Sequence, residues 1–214
     1  MKERTYWYTK QEIEEIAGII VDKLKEKGIT PPYTLEKLKE IANKLGIEVI
    51  EGSFGYRFKN YDDKGNLVFS EDAYPFEGQL EIKRENGKEK ITIILNKDRP
   101  VYEPRRAHFT FAHELGHYFL HYKLLGLEVI PKDTFYTFNR KTSYDRRERE
   151  ANWFASAFLM PAKDVREQWE KLKKKYYGKS DAFIFVKAIT ELADHFKVSK
   201  LAMRYRLQEI GLIK

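Results

Sequence analysis

Between residues 10 and 27 the chain reads KQEIEEIAGIIVDKLKEK, with Ile13, Ile16, Ile20 and Leu24 three or four residues apart and charges between them. Apolar residues at that spacing share one helical face, and Gly28 stops the run. Pro31 and Pro32 make a rigid link. Thr34 is placed to cap a second helix through Leu35, Leu38, Ile41, Ala42 and Leu45, which ends at Gly46. IEVIEG, residues 47–52, alternates as a short strand. QLEIKR (79–84) and EKITIIL (89–95) flank Asn86-Gly87, a strong hairpin signal. Within the second run, ITIIL (91–95) reads either as a core strand or as an exposed edge able to take a peptide as an added strand. Asn96 to Pro104 is a loop, with Pro100 and Pro104 barring regular structure. From Arg105 to about His121 the pattern is helical. Residues 122–143 are poorly patterned, with LEVI (127–130) as a candidate short strand. Further helices are predicted over 144–159, stopped at Pro161, and over about 163–175, 181–196 and 199–209. There is no internal repeat. Helices, then a small antiparallel or mixed sheet, then helices predict an α+β fold.

Composition narrows the chemistry. With 42% hydrophobic and 34% charged residues, the 214-residue chain is globular in type and long enough for a good-sized core plus a small appendage. No apolar run approaches the roughly 20 residues of a membrane span, and MKERTYWYTKQEIEEI holds no signal-peptide core, so a cytoplasmic location is expected. Cysteine is absent, which excludes disulfides, thiolate zinc sites and thiol nucleophiles together. Any transition metal must therefore be held by His, Asp or Glu. The net charge of +7 is spread along the chain, as on a solvated Lys/Glu surface more than a dedicated nucleic-acid face.

The sharpest motif is AHELGH, residues 112–117. Of five histidines in the chain, His108, His113, His117 and His121 fall in this one helical stretch and only His195 lies elsewhere. His113 and His117 are four apart and share a face, so both can address one ion. Glu114 is rotated by about 100° from His113, beside that ion, where it can act as general base toward a water that zinc acidifies toward a pKa of about 7. Ala112, Leu115, Gly116 and Phe119 surround the motif, so it is expected to be buried, where unpaired imidazoles and a carboxylate would be costly and a cation removes the cost. A catalytic zinc wants a third protein ligand and an open position. His121 continues the spacing, but a straight helix climbs about 6 Å in four residues, so a supporting role is expected for it. His108 lies outside the spacing and is expected on the helix surface. The downstream stretch Arg147-Glu148-Arg149-Glu150-Ala151-Asn152 offers Glu148 as the third ligand, with Asn152 one turn on to steady a histidine's other nitrogen. Glu150 is the rival ligand, on another face. Two histidines and a glutamate suit zinc, Zn2+, and could also take Mn2+ or Fe2+ in vitro.

These residues resemble the ImmA/IrrE family of metallopeptidases. ITIILNKDRP precedes RRAHFTFAHELGHYFLH, and EREANWFASAFLMP follows after a variable loop. TLEKLKEIANKLGIEVIE is similar to the family's N-terminal helix–strand unit, and ITELADHFKVSKLAMRYRLQEIGLI to its helical tail. The resemblance spans roughly residues 30–213. It implies a zincin-like core of the glutamate-ligand type, with His113, His117 and Glu148 as zinc ligands and Glu114 as general base. It also implies a substrate class, DNA-binding repressors of the Xre helix-turn-helix type, cut once to relieve repression. Members of the radiation-response branch carry a further sensor-like domain, and none is expected within these 214 residues. An oxyanion-stabilising group is expected as well, with Tyr144, Tyr118 and Arg105 as candidates.

The expected organisation is a helical extension over 1–30, the zincin-like core over 31–162 and a helical tail over 163–214. In that tail Leu192, Ala193, Phe196, Val198, Leu201, Ala202 and Leu207 fit a helix-turn-helix pattern, with Ser199 as N-cap and Lys197 in place of the usual turn glycine. Lys197, Lys200, Arg204 and Arg206 add positive charge. The tail is expected to pack on the protease core or face the repressor, with direct DNA contact as the other reading. Met160 and Met203 read as packing residues. The competing function is a metal-stabilised regulatory or sensor module that binds DNA or a protein through this tail; a carboxylate beside an open metal position argues for the peptidase.

Overall fold

A computed structural model describes residues 7–52, 58–61, 67–70, 77–85, 88–97, 104–124, 136–139 and 146–213. The first helix, α1 (Lys10–Glu26), starts at a capping box: Glu12 N donates to Thr9 Oγ1 at 3.2 Å and Thr9 N donates to Glu12 Oε2 at 2.7 Å. Its buried stripe is Ile13, Ala17 and Val21. Thr34 caps α2 (Leu35–Lys44) by accepting from Lys37 N. Positive-φ glycines, Gly28 and Gly46, follow the two helices; such a φ is cheap only without a Cβ.

Among the described residues the main sheet has four strands in the order β1 (Ile47–Gly52), β5 (Lys88–Asn96), β4 (Gly78–Glu85), β6 (Tyr136–Asn139). β1 runs parallel to β5, while β4 is antiparallel to both β5 and β6. The sheet is thus mixed. Glu85 pairs with Lys88, so β4 and β5 form the expected hairpin; its turn residues, Asn86 and Gly87, lie outside the described residues. β5 is interior, hydrogen-bonded on both sides, so the expectation of an exposed edge at 91–95 is corrected. Residues 91–96 are all buried, the polar Thr92 and Asn96 included, so the strand is covered on both faces. Two short strands, β2 (Phe58–Tyr61) and β3 (Leu67–Ser70), pair apart from this sheet.

α3 (Pro104–Gly116) packs on β4 and β5 and on α4 (Arg146–Leu159), which in turn carries α1. The predicted single helix to His121 is corrected here. At His117 the winding widens into a π-helical segment, His117–Leu124. Such widening is rare and concentrates at functional sites. The tail is α5 (Ala162–Lys175), α6 (Asp181–Phe196) and α7 (Lys200–Glu209). Lys197, at φ 59, holds the left-handed position that a glycine usually takes. His108 Nδ1 donates to Lys197 O at 3.0 Å and Arg105 reaches Val198 O at 3.3 Å, so α3 holds this turn in place. Ser199 caps α7 as expected.

One cluster of buried apolar side chains runs from Tyr8 and Ile13 through Leu38, Ile93 and Phe111 to Phe158 and Leu207. Tyr33 stacks on Phe158 at 4.8 Å, and Phe158 on Phe154 at 5.5 Å. Met160 and Met203 are core residues, as read. Among the described residues no helix is long and apolar enough to cross a membrane.

Candidate metal centre

α3 and α4 approach closely at Gly116. A Cβ on Gly116 would lie 3.1 Å from both Cα and O of Ala151 and 3.2 Å from Phe154 Cδ1. The absent side chain lets the two backbones meet, and the meeting brings Glu148 to His113 at the end of α3 and His117 at the start of the π-helical segment. His113 Nε2 and His117 Nε2 are 3.1 Å apart, and Glu148 places its two oxygens 3.2 Å and 3.1 Å from them. These three side chains can hold one ion.

The outer nitrogens fix the tautomers. His113 Nδ1 is 2.9 Å from Asn152 Oδ1, an atom that only accepts, so this Nδ1 carries the proton and Nε2 offers a lone pair. His117 Nδ1 is 2.9 Å from His121 Nδ1, and His121 Nε2 is 3.1 Å from Glu150 Oε2. The arrangement that leaves His117 Nε2 as a lone pair sends its Nδ1–H to His121 and the Nε2–H of His121 to Glu150. Glu150 also accepts from Arg146 Nε at 3.4 Å. Burial pushes His121 below the usual histidine pKa, against the raising effect of the hydrogen bond it donates to Glu150, and so favours the neutral ring that this relay requires.

Three electron-pair donors therefore face one another in a buried space. They are stable there only around a proton or a cation. Burial alone would raise the Glu148 carboxyl, yet with no metal bound, where His113 and His117 turn protons on Nε2 toward it, their hydrogen bonds win and bring it down to about 2. The geometry suits a first-row metal: at bonds of about 2.0–2.1 Å, two ligand atoms of a tetrahedron stand about 3.3 Å apart, close to the 3.1–3.2 Å found between these atoms.

Glu114 is fully buried beside this cluster, and its carboxylate packs against Gly78 at the start of β4. A Cβ on Gly78 would stand 2.4 Å from Thr110 Cγ2 and 3.2 Å from Glu114 Oε1. Gly78 was not singled out in the sequence, although a glycine opening a strand signals close backbone approach. The expectation of a surface His108 is corrected, since it is only 2% exposed. Glu150, the rival ligand, is fully buried and pairs with His121. Arg105 is engaged by Asp194 at 2.6 Å, and Tyr118 is buried against Phe119 and Tyr122. Tyr144 and LEVI lie outside the described residues.

A groove of about 710 Å³ opens from Glu148 and Asn152 along α4 toward α7. In the tail, Arg206 is 1% exposed and forks onto Glu14 at 2.8 and 2.5 Å while its Nε donates to Met160 O at 2.8 Å. The expectation that Arg206 presents positive charge outward is therefore corrected: it locks α7 to α1 and to the end of α4.

Histidines one turn apart on a helix, completed by a carboxylate from a second helix, are the donor set of a metal-dependent hydrolase. A family model described as peptidase M78, the IrrE N-terminal-like domain, matches residues 62–208, and the chain belongs to that family. It is also similar to Metallopeptidase ImmA of Bacillus subtilis (strain 168), 30% identical over 105 residues, which are 48% of this chain and 50% of that protein. The chain thus spans about half the length of the curated relative it matches.

Proposed function

We propose that this protein is a zinc-dependent endopeptidase, with His113, His117 and Glu148 as the metal ligands and Glu114 as the general base. The observation that carries the reading is the convergence of two Nε2 atoms and a carboxylate at 3.1–3.2 Å, with a second buried carboxylate on the next residue after His113. A bound zinc polarises a peptide carbonyl and acidifies water. Glu114 takes the proton of the attacking water and returns it to the leaving amine, so it has to be ionised at the start and protonated midway. Asn152 and the His121–Glu150 pair hold the two imidazoles in the tautomer that binds metal. Gly78 leaves room for the Glu114 carboxylate.

The substrate is a protein, and the resemblance to the ImmA/IrrE family makes an Xre-type repressor the first one to try, with cleavage relieving repression in the cytoplasm. The competing reading, a metal-stabilised module whose tail binds DNA, has less support, because Arg206 is committed to Glu14. Glu114→Gln tests the assignment. The variant is expected to keep one zinc per chain and to lose cleavage by at least about a hundredfold, within the usual range for general-base removal. Turnover retained at the wild-type rate would remove Glu114 from the role.

A further inference from the structure

The groove beside Glu148 is not evenly furnished. On the α7 side Leu201 and Tyr205 are each 58% exposed. They stand one helical turn apart and so share a face. Trp153 of α4 and Phe109 of α3 line the same groove, making an apolar wall shared by three helices. Exposed apolar side chains are ordinary when scattered; gathered in one concave surface they mark a binding site.

The charges of the groove are also uneven. Arg105 is paired with Asp194 and Arg106 with Glu77. Glu209 is paired with Lys10 at 2.8 Å and contacts Arg206 at 3.5 Å, and Glu148 faces the histidines. Arg149 is exposed, adjoins Glu148 in sequence, and has no ion-pair or hydrogen-bond partner among the described residues. Among the described residues it is the uncompensated charge of the groove. An anionic group there would gain a bidentate partner at the mouth of the metal centre.

Resting on the peptidase reading above, we propose that the substrate chain lies along this groove, with a large apolar side chain held between Trp153, Leu201 and Tyr205 and an acidic side chain held by Arg149. The tail helix α7 is then a specificity wall of the peptidase, not a DNA-reading element. Distances along α4 set the register. Trp153 lies five residues beyond Glu148, a rise of about 7.5 Å, which is the reach of about two residues of extended chain. The apolar residue is therefore placed about two positions from the scissile bond. Arg149 places the acidic residue within about the same distance, because it follows Glu148 directly.

The test uses the full chain loaded with one equivalent of zinc and a proteome-derived peptide library, with the residues around each cleaved bond read by mass spectrometry. Wild type is expected to enrich a large apolar residue about two positions from the cut and Asp or Glu within two positions. Arg149→Glu is expected to lose the acidic preference by at least about tenfold and to favour Lys or Arg there; Arg149→Lys is expected to retain it. Leu201→Asp combined with Tyr205→Ala is expected to flatten the apolar preference while the zinc content stays at one per chain. Variants that cleave with the wild-type profile would overturn the groove assignment and leave the peptidase standing. A zinc-loaded wild type that cleaves no peptide would remove both. Tight binding of a random DNA duplex, abolished by Arg149→Glu, would give the face to DNA and overturn the proposal.

Discussion

Gly116→Ala probes the contact that assembles the metal centre. The new methyl would meet Ala151 Cα and O at 3.1 Å and Phe154 Cδ1 at 3.2 Å, whereas carbon contacts are comfortable at about 3.5–4.0 Å. Two of the three obstacles are backbone atoms that cannot rotate aside, so α4 must retreat by about a few tenths of an ångström. Overpacking of this kind costs about 1–3 kcal/mol, set against about 0.8–1 kcal/mol regained by removing a helical glycine. The metal-free variant should therefore range from unchanged to about 2 kcal/mol less stable. Metal binding should suffer more, because Glu148 and Asn152 ride on α4 and ligand distances tolerate only about 0.2 Å. A loss of about tenfold or more in zinc affinity is expected, like that from disturbing a ligand's supporting group. Gly18 is the internal control: it lies within α1 with nothing within 4 Å of its would-be Cβ, so Gly18→Ala should stabilise by up to about 1 kcal/mol. Denaturant unfolding of both metal-free variants and a chelator competition give the readouts. Gly116→Ala matching the gain of Gly18→Ala, with zinc affinity unchanged, would refute the close-approach argument.

His121→Phe removes the acceptor of the His117 Nδ1–H and strips Glu150 of a buried partner. Zinc affinity is expected to fall by about 10–100-fold, while Glu150→Gln, which still accepts from His121, should lose much less; equal, negligible losses in chelator titrations would dismiss the supporting chain. His108 is buried and its pKa is lowered chiefly by that burial, against the hydrogen bond to the Lys197 carbonyl. The folded state thus binds fewer protons than the unfolded state, and stability of the metal-free protein should decline as pH falls below about 6.5. His108→Gln, able to keep the bond to Lys197 O, should show a shallower decline between pH 6.5 and 5 in denaturant titrations; superimposable slopes would contradict the assignment.

Helices were legible where apolar spacing and a cap agreed, as with Thr34 and Ser199; the Thr9 capping box of α1 came only with the structure. The metal centre was legible because ligand geometry forces spacing: His113 and His117 on one face, Glu148 with Asn152 one turn on. Other features depend on partners that no local pattern reveals. β2, β3 and β6 are four residues each, too short for an alternation to stand out. Arg206 reads as surface charge until Glu14, 192 residues earlier in the chain, is found against it. The π-helical turn at His117 leaves no mark in a helical period, yet it sets the meeting of His117 with His121. The interior position of β5 was not settled by ITIIL, which reads equally as a core strand or an exposed edge; pairing with both β1 and β4 decides it.

Zinc binding by the wild type and by Glu148→Ala tests the central claim most directly. After reconstitution and gel filtration, elemental analysis of the wild type is expected to give one zinc per chain, and a chelator competition should show the affinity of Glu148→Ala reduced by orders of magnitude. A wild type that holds no zinc, or a variant that holds it as tightly as the wild type, would contradict the assignment of His113, His117 and Glu148 as the metal centre.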